Sequence, residues 1–297
     1  MNIDDLDDNF GIEAEVGFYE EDDFIYAMVS NKHADATICL YGAHITSYKP
    51  ARNVEVLWMS PDSMFQFGKA IRGGIPVCFP WFGPHETNES LPQHGFARIM
   101  NWEVTKTETL AGGANQITLQ LCASDETRKY WDFDFCAEMI FTVGAKLSVT
   151  LKVTNPSDKA IKYTSALHSY FSLSGIENIT IEGLRDTRYQ NQLDGGDYIQ
   201  KEELLSISEE ITRHYYDTKA NCVINDSIFN RSIKVEKEGS SNSTVWNPGE
   251  ETCKQMGDLP DWAYETFVCL ETVNKINDGI HLEAGESHET TAIISAE

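Results

Sequence analysis

The feature of this sequence that most constrains its fold is a repeated alternation of apolar and polar residues with a period of two. In KLSVTLKVTN, Leu147, Val149, Leu151 and Val153 alternate with polar residues, as expected of a β-strand that is buried on one face. Further strand candidates are separated by Gly, Asn, Asp and Pro. They are DFIYAMVS, ATICLYGAHITSY, QITLQLCA, FCAEMIFTVG, NITIEGL, IKVEKE and TTAIIS.

Helical signals are few, and the clearest are single turns around PGEETCKQMG and DWAYET. So many strands with so little helix between them argue against parallel βαβ units and favour antiparallel sheets packed face to face. No linker rich in Pro and Ser and no internal repeat divides the 297 residues. We therefore predict a single all-β domain over residues 1–297, with the acidic segment of about residues 1–20 at its periphery.

The charge balance limits the partners. The chain has 47 acidic and 23 basic residues and a formal net charge of −24. Such a field repels nucleic acid and anionic membrane surfaces, so we expect neither as a partner, and an anionic ligand would need a local arginine site. The N-terminus lacks the pattern of a secretory signal, and no stretch is long and apolar enough to span a bilayer. We expect a cytoplasmic protein.

The cysteines suggest no metal site. Their number is odd, they lie far apart and none forms a C-x-x-C pair, so we predict buried reduced thiols rather than zinc ligands or disulfides. They are Cys39, Cys78, Cys122, Cys136, Cys222, Cys253 and Cys269.

Two residues stand out within apolar strands. Glu271 follows four apolar residues in FVCLETVN, and a carboxylate is rarely buried without a partner. The alternative is a strand residue that faces outward. His168 lies in SALHSYFSLSG, a segment that alternates like a strand, and its alternative is a core histidine with satisfied hydrogen bonds. Six other histidines are predicted to be surface or turn residues: His33, His44, His85, His214, His281 and His288.

Two loops complete the set of candidates. FGKAIRGGIPVCFPWFGPH is dense in Gly, Pro and aromatic residues and places Arg72 before a glycine pair; Trp81 and Phe82 offer flat faces suited to a sugar. Its alternative is a structural corner of a sandwich. LPQHGFAR brings an amide, an imidazole and a guanidinium together in a loop. Motifs for nucleotide phosphates, zinc proteases and serine hydrolases are absent.

Together these segments resemble a known family. IRGGIPVCFPWFG, LPQHGFAR, LHSYF, WNPG and FVCLETVN occur in the order found in the glucose-6-phosphate 1-epimerases, or hexose-6-phosphate mutarotases, of the aldose 1-epimerase superfamily. The resemblance runs from LYGAHITSYKP to GESHETTAIIS. It implies a galactose-mutarotase-like fold, a large antiparallel β-sandwich, and interconversion of the α and β anomers of a hexose 6-phosphate. It also implies no cofactor and no metal, and we expect a monomer whose partner is a small sugar phosphate.

The resemblance assigns roles to six residues. Glu271 is the base and His168 the acid, which requires an ionised Glu271 and a His168 that carries a proton. The substrate-binding residues that it implies are the arginines Arg72 and Arg98, together with Gln93 for a sugar hydroxyl and His94 for substrate oxygens.

The chain departs from the family pattern at one position. Members commonly carry an acidic residue in a VDRVY-like segment, whereas here ITRHYY places Thr212 there; Glu209, Glu210 or Asp217 could serve instead. Sugar specificity therefore stays open. The alternatives to a hexose-6-phosphate mutarotase are an epimerase of free aldoses, separated from it by whether an arginine pair lines the pocket mouth, and a non-catalytic sugar-binding protein.

Overall fold

The computed structural model describes residues 2–275 and 279–297. Strands dominate it, and helices are few and short, as predicted. The strands are β1 (Val16–Glu21), β2 (Phe24–Ser30), β3 (Ala34–Cys39), β4 (His44–Pro50), β5 (Val77–Cys78), β6 (Glu103–Thr109), β7 (Asn115–Cys122), β8 (Cys136–Val143), β9 (Leu147–Thr154), β10 (Ile161–Tyr163), β11 (Ser165–Leu167), β12 (Tyr170–Ser172), β13 (Ile179–Glu182), β14 (Arg188–Asn191), β15 (Asp197–Ile199), β16 (Ile211–Tyr216), β17 (Cys222–Asp226), β18 (Arg231–Glu238), β19 (Asn242–Asn247), β20 (Phe267–Asn274), β21 (Ile280–Leu282) and β22 (Ser287–Ala296). The α-helices are α1 (Ile3–Phe10) and α2 (Gly249–Cys253), and single 3₁₀ turns cover Ala97–Ile99, Thr127–Lys129, Ile176–Asn178 and Ala263–Glu265.

Two large sheets form the body of the protein. The first, which we name the framework sheet, has eight strands in the order β13-β17-β18-β22-β9-β8-β7-β6. The second, the site sheet, has the order β15-β14-β16-β19-β20-β11-β5, and β12 also pairs with β20. A four-stranded sheet, β1-β2-β3-β4, and a two-stranded pair, β10 with β21, accompany them. The paired strands within the described residues run antiparallel, which confirms the predicted fold class.

The framework sheet follows the predicted alternation. Along β9, Leu147, Val149, Leu151 and Val153 are buried while the residues between them are partly exposed. The apolar face covers the core, and the polar face carries pairs such as Lys152 with Glu138. The alternation of apolar and polar residues therefore reflects the burial of one face of the sheet.

The site sheet closes the sandwich. Val268 and Leu270 of β20 belong to the same hydrophobic cluster as Val149 of the framework sheet. The opposite face of β20 is also covered, because Phe267 and Cys269 pack in a second cluster with Trp58, Tyr170 and Leu259 among its members. All eight residues of β20 are buried as a result.

The acidic N-terminal segment contains a helix that the sequence reading missed. Helix α1 begins with a capping box in which the Asn2 side chain accepts from the backbone N–H of Asp5. Leu6 is buried in the main core, and Asp7 accepts a hydrogen bond from the backbone N–H of Phe18 at 2.9 Å. The segment predicted to be peripheral is thus attached to β1. Within the described residues, no helix combines the length and apolar character needed to cross a membrane.

The prediction for the cysteines is wrong for one pair. Cys122 and Cys136 form a disulfide. They stand opposite each other where β7 pairs with β8, so the register of the two strands brings the sulfurs together. The remaining five are buried free thiols, as predicted: Cys39, Cys78, Cys222, Cys253 and Cys269.

Candidate active site

A cavity of about 490 Å³ opens on the site sheet. Its volume suits a small ligand such as a monosaccharide. Residues that are far apart in the sequence line it together, and they include all six predicted site residues: Arg72, Gln93, His94, Arg98, His168 and Glu271.

The side chain of Glu271 points into the cavity because the pleat of β20 directs alternate residues to that face. Alternate residues of a strand share a face, so Glu271 shares its face with Phe267, Cys269 and Val273, and that face is covered by side chains of the neighbouring loops. Its side chain is only 1% exposed, and Oε2 has no hydrogen-bond partner among the described residues. Burial raises the pKa of Glu271 well above its ordinary value, and the charges of Lys275 and Arg98 oppose that shift.

His168 faces Glu271 from a bend between β11 and β12, rather than from within one continuous strand. Its Nε2 lies 3.4 Å from Glu271 Oε1, and its ring stacks on Tyr170 at a centroid distance of 4.9 Å. The other ring nitrogen, Nδ1, is buried and has no hydrogen-bond partner in the described part of the chain. Burial, with further contributions from Arg98 and Arg72, lowers the pKa of His168 to about 3.

These shifts bear on the predicted proton positions. The predicted roles require an ionised Glu271 and a protonated His168, whereas burial favours the neutral form of each. Both charge states stay predictions, and burial opposes each of them. An anion bound against the arginines would offset their contribution to the low pKa of His168, and it would equally offset the contribution by which Arg98 favours an ionised Glu271.

Arg72 is held rigidly at one end of the cavity. Its Nε and one terminal nitrogen bind Asp258 Oδ2 at 3.0 and 2.9 Å, and the other terminal nitrogen donates to the Tyr170 hydroxyl at 2.9 Å. The glycine pair behind it is needed for close packing. At Gly73, where φ is +111°, a Cβ would lie 2.5 Å from the carbonyl oxygen of Trp58.

The LPQHGFAR loop supplies a second wall. Arg98 donates to the carbonyl oxygen of Gln93 at 2.9 Å, and no carboxylate among the described residues forms an ion pair with it. His94 Nδ1 accepts from the backbone N–H of Gly83 at 3.2 Å. Burial lowers the pKa of His94 well below its ordinary value, so the ring is neutral and its hydrogen lies on Nε2. His94 therefore offers a donor.

Several residues that line the cavity escaped the sequence reading. Lys275 follows β20, with Nζ 5.3 Å from the centre of the Phe82 ring. His214 of β16 is buried, and burial lowers its pKa to about 4. The prediction of a surface or turn position is wrong for His214 and also for His44, which is buried and bonds the carbonyl oxygen of Gly73 at 2.7 Å. The sequence around these two histidines did not show that they are buried, because their burial depends on tertiary packing.

The structure places Thr212, the position of the predicted departure, at the cavity. Thr212 lines the cavity, and so does Glu210, whose Oε2 accepts from the Thr252 hydroxyl at 2.6 Å. Glu209 and Asp217 do not line this cavity. Of the three alternative acids, the structure brings only Glu210 to the pocket. Among the described residues, no group of three or more candidate ligands is placed to hold a metal ion.

A buried histidine and glutamate that face each other in a cavity of an antiparallel β-sandwich form a candidate pair for acid/base chemistry. A family model described as aldose 1-epimerase matches residues 25–295. The chain belongs to the aldose 1-epimerase family, and it is an isomerase that acts on carbohydrates.

Individual relatives agree with this placement. A protein of Escherichia coli (strain K12) with the provisional name glucose-6-phosphate 1-epimerase is 38% identical over 251 residues, which cover 84% of this chain and 83% of that protein. A Salmonella typhimurium protein of known crystal structure, provisionally described as a mutarotase, has a TM-score of 0.90 at 33% identity and covers 97% of this chain and 95% of its own. A galactose mutarotase related enzyme of Lactobacillus acidophilus shares the fold, with a TM-score of 0.72 at 18% identity, over 92% of this chain and 97% of its own.

Proposed function

We propose that this protein interconverts the α and β anomers of a hexose 6-phosphate, with glucose 6-phosphate as the first candidate. The observation that carries the proposal is the placement of Glu271 and His168 3.4 Å apart in a cavity that two arginines, Arg72 and Arg98, also line. The arginines supply the local positive charge that a chain of net charge −24 needs for an anionic sugar. The provisional name of the Escherichia coli relative supports the same substrate.

The chemistry needs two proton transfers. Glu271 removes the proton of the anomeric hydroxyl while His168 protonates the ring oxygen, so the bond between carbon 1 and the ring oxygen breaks and an open-chain aldehyde forms. Rotation about the bond between carbons 1 and 2 exposes the other face of the aldehyde. Return of both protons closes the ring as the opposite anomer, and no proton is gained or lost overall.

The two arginines differ in what they can give a phosphate. Arg72 already shares its charge with Asp258, whereas Arg98 bonds only a backbone carbonyl among the described residues. Arg98 is therefore the main anchor of the phosphate and Arg72 a supporting donor. Because a dianionic sugar does not cross a bilayer unaided, the cytoplasm is the compartment where we place this activity. We infer that the 297 residues act as one domain and as a monomer.

The test is anomerisation of freshly dissolved α-glucose 6-phosphate, followed against the spontaneous rate, with free glucose and galactose as comparators. We expect marked acceleration for the phosphorylated sugar and much less for the free sugars. Equal efficiency for all three would favour the epimerase of free aldoses, a reading to which the pairing of Arg72 with Asp258 lends some support. If the anomerisation of none of the three sugars is accelerated, the alternative of a non-catalytic sugar-binding protein is favoured.

A further inference from the structure

A hydrogen-bonded array that the proposed chemistry does not use lies on the cavity wall. It consists of Gln192, His214 and Thr244, and we name it the Gln192 array. His214 Nε2 lies 2.7 Å from Gln192 Oε1, and Nδ1 lies 2.8 Å from Thr244 Oγ1. All three residues line the cavity that contains Glu271.

Strand register places the array beside the acid/base pair. Thr244 stands opposite Glu271 where β19 pairs with β20, and His214 stands opposite Thr244 where β16 pairs with β19. Directly opposed residues of antiparallel strands project from the same face, so these three side chains form a row toward the cavity. Gln192 lies in the turn after β14, and its backbone N–H donates to the carbonyl oxygen of Thr212 at 2.9 Å. The turn is thereby fixed to Thr212.

The direction of each hydrogen bond can be assigned. Because burial lowers the pKa of His214 to about 4, the ring is neutral near neutral pH and carries one hydrogen. An amide oxygen can only accept, so that hydrogen lies on Nε2, and Nδ1 accepts from the Thr244 hydroxyl. With its oxygen bound to His214, Gln192 retains its NH₂ group as the donor for a ligand.

We propose that Gln192, oriented by His214, is a specificity-determining residue that donates a hydrogen bond to a sugar oxygen on the wall where Thr212 stands. The proposal rests on the function proposed above, which supplies the sugar. Thr212 offers no carboxylate at this wall, and the carboxylate of Glu210 already accepts from Thr252. An amide whose oxygen is bound to a buried ring is a fixed donor, and a fixed donor discriminates between positions of a hydroxyl.

The experiment compares Gln192→Leu with the matched control Gln66→Leu, since Gln66 is an exposed glutamine that does not line the cavity. Loss of a neutral hydrogen bond should raise KM and the calorimetric Kd for glucose 6-phosphate by about two- to tenfold, with a smaller effect on kcat. Among 2-, 3- and 4-deoxyglucose 6-phosphate, one compound should lose affinity for the parent enzyme but not for Gln192→Leu. Gln66→Leu should behave like the parent.

A double-mutant cycle tests the role of His214 as a positioning residue. His214→Phe keeps a ring against Phe82 but cannot hold the amide, so it should raise KM like Gln192→Leu, and the double variant should be no worse than either single variant. If His214→Phe does not fold, Thr244→Val replaces it in the cycle. Additive losses, or normal binding by Gln192→Leu, would overturn the proposal.

The two proposals can fail separately. If the parent protein accelerates anomerisation but Gln192→Leu has normal KM and Kd, only the role of Gln192 is lost. If the parent protein is inactive but binds glucose 6-phosphate, and Gln192→Leu weakens that binding, the array stands and the catalytic function is wrong. If the parent protein neither binds nor turns over the sugar phosphate, both proposals are overturned.

Discussion

Strands β9 and β20 have the same length and belong to the two large sheets, but their environments differ. In β9 of the framework sheet, buried and partly exposed residues alternate, whereas all eight residues of β20 in the site sheet are buried. The difference arises because loops cover the outer face of β20, while the outer face of β9 meets water. A charged side chain on the outer face of β9 therefore stays hydrated, whereas one on the outer face of β20 loses hydration free energy.

The carboxylates of the two sheets show this cost. Glu138 of the framework sheet pairs with Lys152 at 3.0 Å, and both side chains are partly exposed. Exposed pairs of this kind contribute at most about 1 kcal/mol to stability. Glu271 is almost completely buried, and one of its oxygens has no hydrogen-bond partner within residues 2–275 and 279–297. The framework carboxylate is solvated and inert, whereas the buried one has the perturbed proton affinity typical of a catalytic base.

The largest effect on the anomerisation rate should come from exchanging the buried carboxylate, Glu271, for an amide. Glu271→Gln keeps the shape of the side chain but removes its proton affinity, so the anomerisation rate of glucose 6-phosphate should fall by roughly two to four powers of ten. Glu138→Gln, the control on the framework sheet, should leave the rate unchanged. Near-normal rates in both Glu271→Gln and His168→Ala would show that the acid/base pair lies elsewhere. Loss in His168→Ala alone would move the base to another carboxylate.

The comparison of strands also shows what the sequence could predict. Alternation identified β9 and most of the framework sheet because one wet face leaves a pattern of period two. Helix α1 was missed because its apolar residues Ile3, Leu6 and Phe10 are few among acids, and its stability depends on the burial of Leu6 in the core. The partnership of Cys122 with Cys136 depends on strand register, which cysteine counting does not reveal.

The residues of the candidate site also fall into those that the sequence predicted and those that it did not. Residues in dense loop motifs, such as Arg72 and Arg98, could be predicted from the family resemblance, and the structure brings them to one cavity. Gln192 and His214 could not, because their place beside Glu271 follows from the pairing of three strands and from a side-chain contact across a turn. Burial of His214 likewise depends on tertiary packing.

A smaller effect is expected when the arginines that line the cavity are removed. Arg98→Ala should reduce kcat/KM for glucose 6-phosphate by about one to two powers of ten, and Arg72→Ala by less, since Asp258 already neutralises part of its charge. Free glucose should be affected less than the phosphorylated sugar in both variants. Arg98→Lys should restore only part of the loss, because an ammonium cannot bind a phosphate in two-pronged fashion. Equal losses for both sugars would argue against a phosphate site.

The smallest effect concerns stability in acid, where the site sheet should again differ from the framework sheet. Burial lowers the pKa of His214 from 6.5 to about 4, so the folded state disfavours its protonated form. Above about pH 6.5 the ring is neutral in both the folded and the unfolded state, and His214 does not reduce the free energy of unfolding. As the pH falls from about 6.5 toward 4, only the unfolded state is protonated, so the free energy of unfolding should decrease, by about 1–2 kcal/mol near pH 5. In the framework sheet, Lys146 and Lys234 lower the pKa of Glu236, so its contribution is lost only below the ordinary glutamate range.

Urea unfolding between about pH 7 and about pH 5 can separate these two sources. His214→Phe removes one titrating group from the site sheet, so its free energy of unfolding should depend less on pH than that of the parent protein, whatever its absolute value. Lys234→Met, the matched change on the framework sheet, should leave the slope of the parent protein unchanged over this range. A parent-like slope in His214→Phe would mean that the ring is protonated in the folded state without cost. The buried row of side chains beside Glu271 would then be wetter than its packing indicates.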